Sequence, residues 1–234
     1  MPYTAEIFGA TIVLVGSFNP AILTPEWLER NHLIGKDDAN VARGSPNLLT
    51  SRQVAVVETE WFTLQVLENQ FTLTSKGALL PTLRDLAVGI CLLVPHTPIT
   101  ALGMNFLAHF KMPTVEAQHK IGDTLAPKIL WNQLLDLEHE SVGLVDLTMR
   151  VQPFKRDKPT ESKDSLNIQL QPSGRIQFGI FMSYNDHREM FAHEENGIGA
   201  KAETAAGIFA NYWEDSWARA VSMFDNLLDK SFAA

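Results

Sequence analysis

Apolar residues that alternate with polar ones, or that run continuously over short stretches, predict a chain rich in strands. Residues 5–18 contain the β-branched run Ile12-Val13-Leu14-Val15, which is typical of a strand buried on both faces. A second long strand is predicted over residues 98–110. Shorter strands are predicted over residues 52–58, 61–67, 71–75, 141–151, 165–171 and 175–186. Turn-forming residues place tight turns at Glu68-Asn69 and at Pro172-Ser173-Gly174.

Apolar residues that recur every three to four positions predict two long helices. One covers residues 79–94, with Pro81 in its first turn and Pro95 after its end. The other covers residues 200–229. Its predicted apolar stripe is Ala206, Phe209, Ala210, Trp213, Trp217, Val221, Phe224 and Leu228.

Shorter elements and one loop complete the prediction. Thr24 and Pro25 suit the N-cap and first position of a short helix. Two further short helices are predicted near residues 113–121 and 126–135. Residues 35–51 are polar and rich in turn formers, so we expect a long, mobile loop there.

The order of these elements predicts an α+β fold, with a mainly antiparallel sheet covered by long helices. Both parts of the chain follow the order β-α-β-β-β-α, which divides it into lobes 1–97 and 98–234 that form one compact unit. A shift of 87 positions aligns identical residues: Gly16 with Gly103, Ala21 with Ala108, Glu29 with Glu116, His32 with His119, Ile34 with Ile121, and Gly35 with Gly122. The hypothesis is an internal repeat with a pseudo-twofold axis. The alternative is that this order is a common way to cover a sheet.

Composition and charge narrow the class of protein. The 234 residues are 45% hydrophobic and carry 27 acidic against 19 basic side chains, a formal charge of −8. This acidity disfavours nucleic acid as a partner. The sequence contains no run of about 20 apolar residues, so no membrane span is predicted. The N-terminal apolar stretch lacks the leading basic residues of a signal peptide. The single cysteine, Cys91, cannot form an intramolecular disulfide, so we expect a buried, inert thiol and a cytoplasmic location.

Two segments carry a resemblance to known proteins. The stretches ITALGMNFLAHF (residues 99–110) and NIQLQPSGRIQFGI (residues 167–180) resemble a sporadically distributed group of bacterial proteins of similar length. That group has no assigned activity. The resemblance covers less than a third of the chain, and it implies a bacterial protein with no catalytic residues to carry over.

The motifs of common enzymes and metal sites are missing from the sequence. It contains no GxGxxG after a strand, no GxxxxGK[ST] and no GxSxG, and its histidines do not follow the HExxH spacing. No cofactor and no metal are therefore predicted. The densest polar cluster is Ser183-Tyr184-Asn185-Asp186-His187, followed by His193 and Glu194. The five residues between His187 and His193 fit no common ligand spacing.

Strand alternation places a second polar group on one surface. On the predicted strand over residues 98–110 the even positions from 102 to 110 are apolar, so Asn105 and His109 share the opposite face. Ser183, Asn185 and His187 likewise share a face of a later strand. If the two strands are neighbours, these five residues form a polar patch. A ligand pocket and an internal hydrogen-bond network both remain open.

These observations favour a non-enzymatic binding or assembly protein, whose partner would be another protein or further copies of the chain. The support is the absence of catalytic motifs in a well-patterned fold, and a pseudo-symmetric sheet that offers grooves and edges to a partner. The alternative is an enzyme that uses His109 or His187 as a general base, because histidine suits that role near neutral pH.

Overall fold

A ten-stranded antiparallel sheet is the centre of the computed structural model, which describes residues 4–77, 80–135, 142–152, 164–190 and 199–233. The strands are β1 (Ala5–Gly16), β2 (Leu49–Thr50), β3 (Val54–Glu58), β4 (Phe62–Leu67), β5 (Gln70–Ser75), β6 (Pro98–Lys111), β7 (Leu147–Val151), β8 (Ser165–Pro172), β9 (Gly179–Glu189) and β10 (Ala200–Lys201). Their order is β2-β3-β4-β5-β1-β6-β9-β8-β7, and β10 pairs with the start of β6.

Six helices accompany the sheet within the described ranges. They are α1 (Pro25–Arg30), α2 (Lys36–Gly44), α3 (Leu80–Leu93), α4 (Val115–Leu125), α5 (Lys128–Leu135) and α6 (Ala202–Ala233). The predicted start of α1 is confirmed, because Thr24 accepts a hydrogen bond from the Trp27 amide and Pro25 occupies the first helical position. None of these described helices combines the length and the apolar character needed to span a membrane.

The long helices cover one face of the sheet, which we call the helix face. The even-numbered residues in the middle of the central strands, over residues 10–14 of β1 and 102–110 of β6, point to this face and are buried, among them Ile12 and Phe106. Trp213 of α6 lies edge-on against Phe106 with ring centroids 5.0 Å apart. Buried residues of α3 and α6 join the same hydrophobic core. The predicted α+β class, with a mainly antiparallel sheet under long helices, is confirmed.

The buried stripe of α6 includes some residues that were not predicted and leaves out others that were. Ala210 is exposed and Trp217 is only half-buried, whereas Ser216 and Ala220 are buried. The buried positions advance from Trp213 to Ser216 and then Ala220, which is the three-to-four residue period of a helix face. The sequence pattern overlooked Ser216 because its side chain is polar.

The predicted loop over residues 35–51 is wrong, because α2 and β2 lie within it. Helix α2 is held by two alanines, Ala39 and Ala42, which are fully buried one turn apart. The Trp61 indole donates a hydrogen bond to Asp38 in the same helix at 3.1 Å. Two methyl groups were too small a signal to predict an apolar stripe among polar neighbours.

Two strands begin later than predicted. β7 starts at Leu147 rather than at residue 141, and β9 starts at Gly179 rather than at residue 175. Residues 173–178 instead form a turn, in which the Ser173 hydroxyl oxygen accepts the amides of Arg175 and Ile176 at 3.1 and 3.0 Å. The turn itself lies where it was predicted.

The two halves of the sheet follow the same strand order. Outward from the centre the order is β1-β5-β4-β3 in one half and β6-β9-β8-β7 in the other, and the β1–β6 pair joins lobes 1–97 and 98–234 into one sheet. The aligned identities do not occupy equivalent places. Gly16 ends β1 while Gly103 lies within β6, and Ala21 lies in a 3-10 turn while Ala108 lies in β6. The internal repeat therefore stays a prediction, which the shared strand order supports and the aligned identities do not.

Candidate functional site

The candidate site lies on the face of the sheet opposite the helix face, which we call the open face. It carries the odd-numbered residues of β1, β6 and β9, most of them half-buried, whereas the even-numbered residues in the middle of these strands are buried. Within the described ranges, every buried apolar side chain of the helices joins the core on the helix face. Among the described residues, the open face is therefore a broad surface that no helix covers.

The five predicted site residues all lie on the open face. Strands β6 and β9 pair directly, so Asn105 faces Asn185, while His187 lies opposite Gly103 and Ser183 lies opposite Leu107. His109 is further along β6, opposite Phe181, with the two rings 4.9 Å apart. The alternation in the sequence therefore correctly placed these five side chains on one surface. Of the five, the strand register brings Asn105 and Asn185 directly opposite each other.

The two histidines are too far apart to act on one atom. Phe181, which faces His109, is separated from His187 by six positions along β9. At the rise of an antiparallel strand this corresponds to about 20 Å. His109 and His187 therefore cannot form a single acid–base pair.

The imidazole of His109 is held by a hydrogen bond to the turn between β8 and β9. Its Nδ1 lies 2.8 Å from the Ser173 hydroxyl oxygen, which already accepts two backbone amides. The Ser173 proton is thus free to donate to Nδ1, which leaves the imidazole neutral with its proton on Nε2. Burial lowers the pKa of His109, and the positive charge of Arg175 lowers it further. The contact connects β6 to the β8–β9 turn.

A line of hydrogen-bonding side chains crosses the centre of the open face, and we call it the polar row. Each member lies opposite the next on a neighbouring strand, so the row spans eight strands, or about 34 Å. In spatial order its members are Glu58, Thr63, Thr74, Thr11, Asn105, Asn185, Asn167 and Arg150.

Most polar groups at the centre of the row bond to each other or to the sheet. The Thr11 and Thr74 hydroxyl groups share a hydrogen bond of 3.2 Å, and the Asn105 amide donates to the Thr11 carbonyl at 3.0 Å. Asn185 is the exception: its Oδ1 is buried and has no hydrogen-bond partner within the described part of the chain. A hydrogen-bond donor on a bound partner would satisfy this oxygen. The Asn185 side chain is half-buried, so its rotation would turn the oxygen towards such a donor.

Gly103 leaves room around this acceptor. A Cβ atom at Gly103 would lie 3.4 Å from the Asn105 amide nitrogen and 3.7 Å from Asn185 Oδ1. A larger side chain at this position would therefore cover the centre of the polar row. The sequence prediction missed Gly103 and the threonine half of the row, because it lacked the register that brings them beside Asn105.

The densest polar cluster of the sequence is divided by the pleat of β9. Asp186 points to the helix face, is 1% exposed, accepts a hydrogen bond from the Ser216 hydroxyl and pairs with Arg188 at 3.4 Å. His193 and Glu194 lie outside the described residues. In the described part of the chain, no three His, Cys, Asp or Glu side chains are grouped to hold a metal ion.

Cys91 is buried in α3, and burial raises the pKa of its thiol to about 12. A thiol with so high a pKa is not a nucleophile at neutral pH. The predicted burial of this cysteine is confirmed, and its inert character stays a prediction.

Comparison with known proteins does not assign the chain to a family. A scan against protein-family models finds no match, and a search of the curated proteins finds none. The geometry of the open face is thus the main guide to function.

Proposed function

We propose that the chain is a non-enzymatic binding protein whose open face, centred on the polar row, binds a protein partner. The observation that carries the proposal is the row itself: hydrogen-bonding side chains lie in register across eight strands, on a surface that no helix of the described ranges covers. Buried at its centre, the unpaired acceptor of Asn185 is an unsatisfied polar group of the kind that binding sites retain.

The chemistry of the row favours protein over nucleic acid. Its middle six members are threonines and asparagines, which both donate and accept hydrogen bonds without charge. At one end, Glu58 is already paired with Lys76 at 2.6 Å, and at the other end Arg150 donates to Asn167 at 2.7 Å. Neither end forms the basic stripe that a phosphate backbone requires, and the formal charge of the chain is −8.

The environment of His109 disfavours the enzymatic alternative. A histidine base that activates a serine needs a free lone pair on the hydroxyl oxygen, and the Ser173 oxygen beside His109 already accepts two turn amides. His187 has no histidine neighbour in register, because it faces Gly103 on one strand and Ser165 on the other. Both features agree better with a binding surface.

The finer predictions on source and location belong to the same proposal. The buried, unpaired Cys91 agrees with a reducing compartment, so we propose a cytoplasmic protein. The resemblance of residues 99–110 and 167–180 to a bacterial group without assigned activity supports a bacterial binding protein rather than an enzyme.

A matched pair of substitutions tests the binding surface. Asn185→Arg places a long charged side chain at the centre of the open face, and Asn211→Arg makes the same change at an exposed position of α6. Each variant is used to capture partners from an extract of the source cells, followed by chemical cross-linking. We expect the wild type and Asn211→Arg to be cross-linked to the same protein through the open face, and Asn185→Arg to lose it. Equal recovery by both variants would contradict the proposal.

A second experiment separates binding from catalysis. His109→Gln with His187→Gln removes both imidazoles, and folding is verified by an unchanged melting transition. A general base contributes about 10²–10⁴-fold to a rate. We expect the partner to be retained and no turnover of a metabolite mixture by either protein. Turnover by the wild type that is lost in the folded double variant would establish the enzymatic alternative instead.

A further inference from the structure

The two edges of the sheet differ in how they are protected against pairing with another strand. β2 is only two residues long, and a very short edge strand is a common form of protection. β7 is five residues long, has Arg150 as its one charged residue, and exposes Met149 and Val151 to 57% and 45%. Long apolar edges of this kind are templates for a further strand.

Exposed apolar side chains concentrate on the same part of the chain. Of the fifteen large hydrophobic side chains exposed in the described ranges, eight lie between Ile129 and Val151. An apolar groove of about 410 Å³ runs beside β7, between the helix face of the sheet and helices α4 and α6. Its lining includes Leu125, Leu147, Met149, Ile168, Leu170 and Leu227. Large exposed apolar patches are rare on monomeric proteins, and those that occur usually mark interaction sites.

β7 is complementary to itself when it pairs antiparallel about a twofold axis. Leu147 and Met149 lie on the helix face, opposite Leu170 and Ile168 of β8, while Thr148 and Arg150 lie on the open face. With the axis at Thr148, Leu147 faces Met149 of the second copy, so apolar residues pair on one face. On the other face, Thr148 faces the same residue of the second copy.

The charges agree with the same register. The axis at Thr148 places Asp146 directly opposite Arg150 of the second copy, and symmetry produces this pair twice. Both side chains are held at the open face in the single chain: Asp146 accepts from the Thr148 hydroxyl at 2.8 Å, and Arg150 donates to Asn167 at 2.7 Å. Moving the axis by one residue, to Met149, would place Arg150 opposite Thr148 and lose both ion pairs. Opposite charges that face each other across a strand pair stabilise that register.

We propose that the chain forms a homodimer through antiparallel pairing of β7 with β7 of a second copy, which continues the sheet across a twofold axis. The interface is isologous, so each copy contributes the same edge and each ion pair occurs twice. The partner strand also lengthens the apolar floor of the groove beside β7. The apolar half of this interface, Leu147 and Met149, lies on the helix face and takes no part in binding at the open face. Arg150 belongs to both proposals, so Met149→Lys is the variant that tests the dimer without altering the polar row.

Sedimentation velocity and light scattering test the dimer at chain concentrations up to about 100 μM, which detect a micromolar dissociation constant. We expect the wild type to approach twice the chain mass of 26.1 kDa. Met149→Lys places a charge in the apolar pairing, and Arg150→Asp places like charges opposite each other. Each should raise the dissociation constant at least about tenfold. Leu49→Lys, at the other edge of the sheet, is the matched control and should leave it unchanged.

The charge exchange Asp146→Arg with Arg150→Asp is the decisive variant. It removes the internal bonds of both side chains but restores opposite charges across the axis, so it should recover the dimer lost in Arg150→Asp. Circular dichroism and melting curves verify that each variant is folded. A monomeric wild type would overturn the proposal, as would a dimer that survives Met149→Lys, one that dissociates with Leu49→Lys, or an exchange variant that remains monomeric.

Discussion

The paired asparagines at the centre of the polar row should respond in opposite ways to the same substitution. Asn105 and Asn185 lie opposite each other, are both half-buried, and lose the same atoms when changed to alanine. The Asn105 amide donates to the Thr11 carbonyl, whereas the buried Oδ1 of Asn185 has no partner. Because packing losses and strand propensity are closely matched, the difference between the variants measures the hydrogen bonding.

The magnitude follows from these contacts. Asn105→Ala removes one hydrogen bond, which contributes about 0.5–1.5 kcal/mol to stability. Asn185→Ala removes an unsatisfied buried acceptor, whose desolvation costs about 1–3 kcal/mol. We therefore expect the unfolding free energy of Asn105→Ala to be lower than that of Asn185→Ala by about 1.5–4.5 kcal/mol.

Urea denaturation of both variants measures this difference, with equal slopes verifying that the unfolding transitions are comparable. If Asn185→Ala is as destabilising as Asn105→Ala, the Asn185 acceptor is paired in the folded protein and the reasoning fails. The same variant should weaken binding at the open face, since a site that retains an unsatisfied group sacrifices stability for function. A variant that is both more stable and fully able to bind would exclude Asn185 from the binding surface.

Three further predictions concern the interior. Trp213→Ala, at a site 1% exposed, should lower the unfolding free energy by about 3–5 kcal/mol, and the half-buried Trp217→Ala by clearly less, as measured by chemical denaturation. The pKa of His109 lies below its ordinary value of 6.5, so the unfolded chain binds the proton more tightly than the folded chain. The unfolding free energy should therefore fall as the pH drops below about 6.5. His109→Gln should make that fall smaller, as measured by denaturation curves at pH 7.5 and pH 5. Cys91 should resist a thiol reagent at pH 8 until the protein is unfolded, because burial raises its pKa to about 12; rapid labelling of the native protein would refute this.

The elements that sequence patterns predicted well are those with large apolar side chains at a clear period. The strand around Ile12 was identified from its continuous β-branched run, and the strand around Phe106 and the helix around Trp213 from their strong periodicity. α2 was missed because its buried residues are Ala39 and Ala42, and a methyl group is a weak signal in a polar segment. Residue size, more than residue class, therefore decided which elements could be predicted.

The candidate site was predictable by face but not by register. The alternation of β6 and β9 placed Asn105 and Asn185 on the open face, but their direct pairing depends on turns and bulges that set the alignment of distant strands. The same limit hid Thr11, which lies beside Asn105 because β1 is central, and Thr74, which lies beside Thr11. Long-range register arises from the whole sheet, so no local pattern contains it.

The polar row also suggests how a partner would be oriented. The two halves of the sheet share a strand order, but the row presents threonine hydroxyl groups on the β1 side and asparagine amides on the β6 side. A hydroxyl offers one donor and an amide offers two, so the two halves differ in the hydrogen bonds that they can make. A partner that lies across the β1–β6 boundary would therefore bind in one direction only. Exchanging Thr11 and Asn105 for one another should weaken binding without unfolding the sheet, and unchanged affinity in a competition assay would show that the direction is set elsewhere.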